Sequence, residues 1–564
     1  MLSVRPISSA PLSTVPAEDS LAVADPFAAL LNEPEAQFIY LLRAYPFDDD
    51  AVRTIGILPA PISTLPISSI ATLTAMGDIT TVLLSDRGFQ TGASDDPMHT
   101  EFPARLLQAM NYEARCADPA NPSAGARAGF GAIRIANMDG EFDNYVGLRW
   151  DGRTVEVLAG GLDFRYADFA VVFRGITGPA TWDEGEISLP LRDRQELFDR
   201  PLGGSLYDGT GGLNGGDDLK GRLRPNAYGL CRNASPVPVD AANLVYQVND
   251  RAIQAVDEVR DSGVALTFDF DTTNIYGSAP ASGKYSTDLS RGLIRLGSQP
   301  VGQVTADVRG DAQGGYVATA AGIAKRIATT RLGSDSLGDP SDIDGGAFAV
   351  LDAAFPAVCG LYVQGGEMTC AAALDLLLGS AGGWWTFTRQ GLLTVSRLVA
   401  PASPVLAIDD TMIAENSFVL DALPLPSWRR RLGYRRNWTQ QSRDQLAGSV
   451  TADAATEFAN AERTVSATDE AVLTRHKLAL DAAETTLIDD PADAATEVAR
   501  REALHGPSRE VYRLNVFGNL FRLKLGDAVS VTSVRFGLSA GKNFAVIGLA
   551  EDAALGEITL WLWG

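Results

Sequence analysis

From Gln37 onward the chain is dominated by short runs that are dense in β-branched and aromatic residues or that alternate apolar with polar positions. Phe38-Ile39-Tyr40-Leu41-Leu42, Thr80-Thr81-Val82-Leu83-Leu84, Ala132-Ile133-Arg134-Ile135, Val155-Glu156-Val157-Leu158 and Phe169-Ala170-Val171-Val172-Phe173 are bounded by Gly, Asp and Pro. Such runs fit a pleated, half-buried surface and predict an antiparallel β block over residues 37–205. Residues 103–110 (PARLLQAM) are its one helix-like interruption, with a strand through them as the alternative. Gly203-Gly204, Gly211-Gly212 and Gly215-Gly216 then form a glycine-rich segment, whose permissive backbone suits a surface loop that adapts to a partner.

A β-rich module follows over 206–310, with strands expected at Leu244-Val245-Tyr246-Gln247-Val248, Ala265-Leu266-Thr267-Phe268 and Gly292-Leu293-Ile294-Arg295-Leu296. Residues 311–405 read as an α+β module. Residues 319–330 and 370–378 place apolar residues at helical spacing, and 384–395 (WWTFTRQGLLTV) predict a hairpin turning near Gly391. Residues 406–564 read as a second β block with a helical insertion. Within it, Asp490-Pro491 opens and Gly506-Pro507 closes a predicted helix, with an acidic N-cap, proline at the first helical position and glycine past the end. Phe521, Leu523 and Leu525 alternate with Arg522 and Lys524, and Val529-Ser530-Val531, Phe544-Ala545-Val546-Ile547 and residues 558–563 continue the period of two. Residues 1–36 have neither period. With Pro6, Pro11, Pro16, Pro26 and Pro34 among Ser and Ala, they predict an extended arm.

At 564 residues the chain is long enough for three to five domains at roughly 100–200 residues each. Hydrophobic residues at 46% and charged ones at 21% are ordinary globular proportions, which excludes wholesale disorder and collagen. Acidic residues outnumber basic ones 70 to 47, and a net charge of −23 repels polyphosphate, so specific nucleic-acid binding is not expected. No window of about 18 apolar residues offers a membrane span, and the first 36 residues hold no continuous apolar core for a signal peptide. Cys116, Cys231, Cys359 and Cys370 are too dispersed for a disulfide framework and predict reduced, buried thiols, a Cys359–Cys370 bridge being the minor alternative.

Catalytic chemistry is hard to find. The three histidines, His99, His476 and His505, stand apart, so HExxH and His-rich metal clusters are impossible, and each reads as an ordinary exposed side chain. The Ser205 and Ser380 contexts lack nucleophile-elbow spacing, and residues 537–542 (GLSAGK) have three residues between glycines where a phosphate loop has four, predicting a hairpin turn. Asp139-Gly140-Glu141-Phe142-Asp143-Asn144 resembles a calcium loop but has Asn144 at the sharp-turn glycine and Trp150 at the bidentate glutamate, so an acidic β-turn is expected. Residues 208–218 (DGTGGLNGGDD) hold one calcium-roll-like repeat where several are needed. Asp217-Asp218 and Asp489-Asp490 are carboxylate pairs of the kind that chance provides in an acidic chain. The cluster Arg429-Arg430-Arg431, Arg435-Arg436, interleaved with Trp428, Tyr434 and Trp438, reads as salt bridges to acidic neighbours. No catalytic residue, cofactor site or metal site is assigned, and no enzyme is expected.

Three stretches, taken together and in this order, look familiar. The first is Asn137-Met138-Asp139-Gly140-Glu141-Phe142-Asp143 with Trp150-Asp151-Gly152-Arg153; the second runs from Lys220-Gly221-Arg222-Leu223-Arg224-Pro225-Asn226-Ala227-Tyr228-Gly229 to Asn233, Pro236 and Leu244-Val245-Tyr246-Gln247-Val248. The third is Leu432-Gly433-Tyr434-Arg435-Arg436-Asn437-Trp438 with Leu525-Gly526-Asp527-Ala528-Val529. Over most of the chain they resemble the baseplate or tail-tip hub proteins of long-tailed bacteriophages and gene transfer agents. The resemblance implies a mainly β, multidomain protein with α+β modules, in which 37–205 and 406–564 supply two tail-tube-like β-barrels.

It also implies a homotrimer at the distal end of the tail that contacts the distal tail protein, the central spike or fibre and the tape-measure protein. DNA would pass through the lumen without specific binding and without any membrane partner. The protein would be made in the host cytoplasm and reside in the virion at the tail tip. Some related hubs hold an iron–sulfur cluster in four grouped cysteines; here Cys116 and Cys231 lie far apart, so no cluster is expected. A carbohydrate-binding receptor protein or adhesin, stacking sugars on Trp384 and Trp385, is the alternative reading.

Overall fold

The computed structural model describes residues 25–31, 37–54, 74–116, 125–192, 194–335, 337–366, 368–518, 521–552 and 556–564. Most of the expected arm therefore lies outside the described residues. Its described part, Pro26–Leu30, is a helical turn and not extended. Asp25 caps it by accepting from Phe27 N at 3.0 Å, and Phe27 and Leu30 are buried against the core, Phe27 beside Phe38. Proline at the first helical position, which suggested extension, is equally suited to starting a helix.

The protein is mainly β with α+β parts, built from several sheets. Residues 37–192 contribute two antiparallel four-stranded sheets. One runs Ala170–Ile176, Thr154–Gly160, Ile39–Ala44, Val82–Ser85; the other runs Thr181–Trp182, Glu186–Pro190, Ala132–Ala136, Leu106–Gln108. Leu106–Gln108 corrects the helix expected over 103–110. Leu106 is buried and Leu107 exposed, a period of two, and the backbone pairs with Arg134 and Ile135 instead of turning on itself.

The next strand joins the two ends of the chain. Asn111–Cys116 runs antiparallel to Lys542–Asp552 in the register Asn111↔Asp552 to Arg115↔Gly548, and Ala126–Gly129 pairs on its other side. It extends the C-terminal ladder of Leu406–Asp409, Ala528–Thr532, Lys542–Asp552, Glu557–Trp563, Val511–Phe517 and Val419–Ala422 into an eight-stranded sheet. Among the described residues, the outermost strands of these sheets do not pair with one another. The alternating run over 521–525 is not a strand. Phe521 takes a left-handed φ of 68°, Lys524 N donates to the Asp527 carboxylate at 3.0 Å, and Leu523 and Leu525 bury their side chains from a loop.

Between the ends, two five-stranded sheets face each other over a core that includes Cys231, Val259, Ile294 and Val308. One of them holds Asn226–Ala234 beside Gly360–Val363, with Gly229 opposite Gly360. Both glycines are required there: Gly229 has φ 64°, and a Cβ on Gly360 would overlap the Leu230 carbonyl. The glycine-rich loop before this sandwich is folded on itself. Gly209 N donates to Asn214 O at 3.0 Å, Arg224 holds the Asn214 side chain at 3.0 Å, and Tyr207 and Leu219 are buried in a satellite core.

Helices Ala320–Gly333 and Cys370–Ser380, capped by Thr319 and Thr369, and the hairpin Gly383–Phe387/Leu393–Arg397 with Gly391 at φ 74° stand where the sequence places them. The helix over Pro491–His505 does too, its N-terminus capped by the Asp490 carboxylate on Ala492 N and Asp493 N. It packs on a three-stranded sheet whose central strand, Ser427–Tyr434, lies between Arg463–Thr468 and Leu480–Thr485.

Candidate functional site

The arginine-rich strand Ser427–Tyr434 organises the charged centre of the C-terminal part. Strand alternation sends Arg429 and Arg431 to one face and Arg430 to the other. Arg429 and Arg431 share the Asp481 carboxylate across the parallel ladder, Arg431 at 3.1 Å, and Arg429 lies 4.8 Å over the Trp428 ring. Arg430 is buried and pairs with Glu484, which also takes Arg501 from the helix Pro491–His505. One turn away, Glu497 accepts from Arg397 at 2.9 Å, from Arg501 at 2.8 Å and from Arg500 at 2.7 Å. Burial pushes the Glu497 carboxyl up, but the hydrogen bonds and charges of Arg500 and Arg501 outweigh it and hold the group below its ordinary value.

The same chemistry pins the parts of the chain together. Arg232 of the sandwich grips Asp489 through Nε and Nη2, both at 3.0 Å, and reaches Asp307 at 3.3 Å, while Arg260 binds Asp307 at 2.7 Å. Arg194 reaches Asp342 at 2.6 Å. Arg389 of the 383–397 hairpin binds Glu551 of the eight-stranded sheet through two nitrogens, donates to Leu523 O at 2.6 Å and lies 5.2 Å over Tyr112. Both partners of this last pair are buried, and Glu551 is fully so.

Between the sandwich and the 452–463 segment lies a cleft of about 510 Å³. Asn233, Arg260 and Asp307 line one side and Asp453, Glu457 and Glu462 the other.

The residues singled out from sequence are scattered. His99 is exposed and His476 half-buried, its Nε2 2.9 Å from Ser508 Oγ. His505, expected to be exposed, is buried against Trp563 because it closes the last turn of the helix. Burial, and then the charges of Arg430, Arg501, Arg509 and Arg500, push it down to about 3. The acidic turn at 139–143 is occupied from within: Arg105 takes Asp139 at 2.6 Å and Glu141 at 2.5 Å, and Asn137 holds Asp143 at 2.8 Å. Residues 537–542 form the turn before the strand Lys542–Asp552. Asp489 is an ion-pair partner and Asp490 a helix cap. Asp217 and Asp218 are exposed on the glycine-rich loop.

All four cysteines are free and buried, Cys359 and Cys370 included. Trp384 and Trp385 are 2% and 3% exposed, so they form part of the core and offer no surface for stacking a sugar. Among the described residues, no group of three or more His, Cys, Asp or Glu is placed to hold a metal, and no helix is long and apolar enough to cross a membrane. Sequence reasoning missed the buried pins Arg389–Glu551 and Arg194–Asp342. Each joins lone charges more than a hundred residues apart, and no local pattern signals them.

No protein-family profile and no curated protein matches the chain. Solved structures do. It is similar to a tail protein from Neisseria meningitidis MC58 at 13% identity and a TM-score of 0.33, over 80% of this chain and 91% of that one. It is similar to a chain of the virion of a native gene transfer agent particle at 15% identity and a TM-score of 0.37, over 61% and 84%. A 43 kDa tail protein of prophage MuSo2 from Shewanella oneidensis matches at 10% identity and a TM-score of 0.29, over 80% and 92%.

Proposed function

We propose that the chain is a structural protein of a phage-like tail, a homotrimeric hub that joins the distal tail tube to the tip and forms part of the genome-ejection channel. The observation that carries this reading is the strand shared between the two ends of the chain. Asn111–Cys116 runs along Lys542–Asp552, so the N-terminal and C-terminal β blocks form one hydrogen-bonded body. A ring subunit under axial load must resist shear between its blocks. A continuous ladder does that, and the buried Arg389–Glu551 pair beside it adds a joint that is costly to open. The three sequence stretches that resemble hub proteins support the same reading.

In this reading the partners are two further copies of the chain, the distal tail protein, a central spike or fibre and the tape-measure protein, with closed cyclic symmetry supplying heterologous interfaces. The charge of −23 suits a conduit past which DNA slides, since carboxylates repel phosphate. The protein works by geometry, without catalysis or cofactor, at the tail tip of the particle. Immunogold labelling of intact particles tests this: gold at the distal end of the tail is expected, and gold on the capsid, or none on particles, refutes it.

A further inference from the structure

The three-stranded sheet beside the helix Pro491–His505 ends in an open edge. Arg463–Thr468 is an outer strand of that sheet, paired with Ser427–Tyr434 on one side without a register shift and, among the described residues, with no strand on the other. Arg463, Thr464, Ser466 and Thr468 are exposed, and Val465 and Ala467, opposite Leu432 and Arg430 on the helix side, are only half-buried. Open edges are templates for further strands, and proteins blunt them with proline, lysine, bulges or charges. This strand has no proline, lysine or bulge, and its one charge, Arg463, is spent on Glu457 at 2.8 Å. The opposite outer strand, Leu480–Thr485, carries Asp481 and Glu484.

A second, independent feature lies at the same edge. Ala467 and Thr468 line a cleft of about 550 Å³ that is also lined by Ala499 and Ala503, exposed on the helix. The charged groups in this cleft answer one another. Asp469 caps the helix Glu470–Arg475 through Ala471 N at 3.0 Å, Glu502 accepts the Ser427 hydroxyl at 2.9 Å and is acted on by Arg430, and Arg475 supplies a cation. His476 is bonded to Ser508 at 2.9 Å.

We infer that the Arg463–Thr468 edge receives an extended, uncharged segment of a partner protein, which pairs its backbone with the strand and places an apolar side chain in the cleft between Ala467 and the helix. A free ladder of N–H and C=O groups is answered by extended backbone. Side chains of an added strand point alternately to the cleft and away from it, so every second residue of the segment is apolar. Charge selects among such segments. The chain's net charge of −23 draws basic partners in general, whereas this edge, with Arg463 already paired, and this cleft, with its charges matched, suit a neutral one. The cleft volume falls in the size range of small-ligand sites, ~300–1,000 Å³. This inference does not rest on the tail-hub reading and would hold for the chain in any assembly.

The test is saturation-transfer NMR on the full chain with the capped peptide Ser-Val-Thr-Val-Ser-Val. The controls are the same peptide N-methylated throughout, which cannot donate to a ladder, and Ser-Glu-Thr-Glu-Ser-Glu. The first peptide is expected to bind and the controls not. Ser466→Lys, which puts a charge on the open edge, is expected to weaken binding about five-fold or more. Ala503→Phe, at an exposed helix position, narrows the cleft and is expected to weaken it as well, which keeps the test decisive if Ser466→Lys perturbs the sheet. Ala483→Lys, which puts the same charge on the opposite outer strand, is expected to leave binding unchanged. Absence of binding, equal binding of the N-methylated peptide, or equal loss in Ser466→Lys and Ala483→Lys overturns the site. Self-association of the free chain that Ser466→Lys abolishes would make a second copy the occupant and overturns the partner assignment. Immunogold results on particles are unaffected by any of these outcomes.

Discussion

Replacing Glu551 with Gln takes the negative charge from a carboxylate that is fully buried and grips Arg389 through two nitrogens. The guanidinium it leaves behind is 9% exposed, cannot be deprotonated, and keeps only the Leu523 carbonyl at 2.6 Å and the face of Tyr112 at 5.2 Å. Glu551 also accepts Phe521 N at 3.2 Å, so the 521–525 loop loosens with it. Breaking one partner of such a pair costs about 3–5 kcal/mol. By contrast, Arg389→Met/Glu551→Leu removes both charges and fills a similar volume, so it is expected to be much closer to the parent. The assay is guanidinium unfolding followed by tryptophan fluorescence, with Trp561 and Trp563 reporting on the sheet that contains Glu551. The expected result is a large downward shift of midpoint for Glu551→Gln and recovery in the double variant. A single variant that loses less than about 1 kcal/mol, or a double variant no better than the single, would refute the role given to this pair.

Acidification is expected to destabilise the protein in two windows. His505 is pushed below its ordinary value of 6.5 to about 3, so between those values the unfolded chain binds a proton that the folded chain refuses, and stability falls as pH falls, by at most about 1.4 kcal/mol per unit. Glu497 and Asp307 are held below their ordinary values, so the stability they contribute is present above about 4.5 and 3.8 respectively and is lost as pH falls through their folded values. His505→Asn is expected to remove the upper window in unfolding curves taken from pH 7 to 4, and an unchanged slope would contradict the burial argument. The thiols should be inert: burial pushes Cys116 and Cys231 up to about 12, so native protein is expected to react with a thiol reagent only on unfolding. Gly360→Ala is expected to abolish soluble folding, because a Cβ there overlaps the Leu230 carbonyl, and a variant with a parental circular dichroism spectrum would contradict the register Gly229↔Gly360. Trp384→Ala is expected to lower the unfolding free energy by about 3 kcal/mol or more, as loss of a fully buried aromatic should.

Much of the local structure was legible because single-segment signals suffice for it. The helix Pro491–His505 announced both ends through Asp490 and Gly506, and the Gly391 hairpin was marked by its turn residue and the apolar runs beside it. The failures share a cause in tertiary context. Residues 103–110 have helical spacing, but their backbone finds partners in Ala132–Ala136 and becomes a strand. Residues 521–525 have strand spacing, but Glu551, Arg389 and Asp527 capture their backbone groups and hold a loop. His505 looked exposed because a lone histidine carries no periodicity; its burial is set by Trp563, which approaches from the final strand. The cleft was invisible for the same reason, since its two walls are Asn233 with Arg260 and Asp453 with Glu462, some two hundred residues apart in sequence.

The claim that the chain builds a tail hub is tested most directly by its own assembly. Light scattering of the purified protein, with negative-stain class averages from the same peak and a repeat in the presence of the distal tail protein, measures it. A trimeric hub gives a mass three times that of the chain and averages with a central hole. A monomer in both conditions, or a closed assembly without a hole, would contradict it.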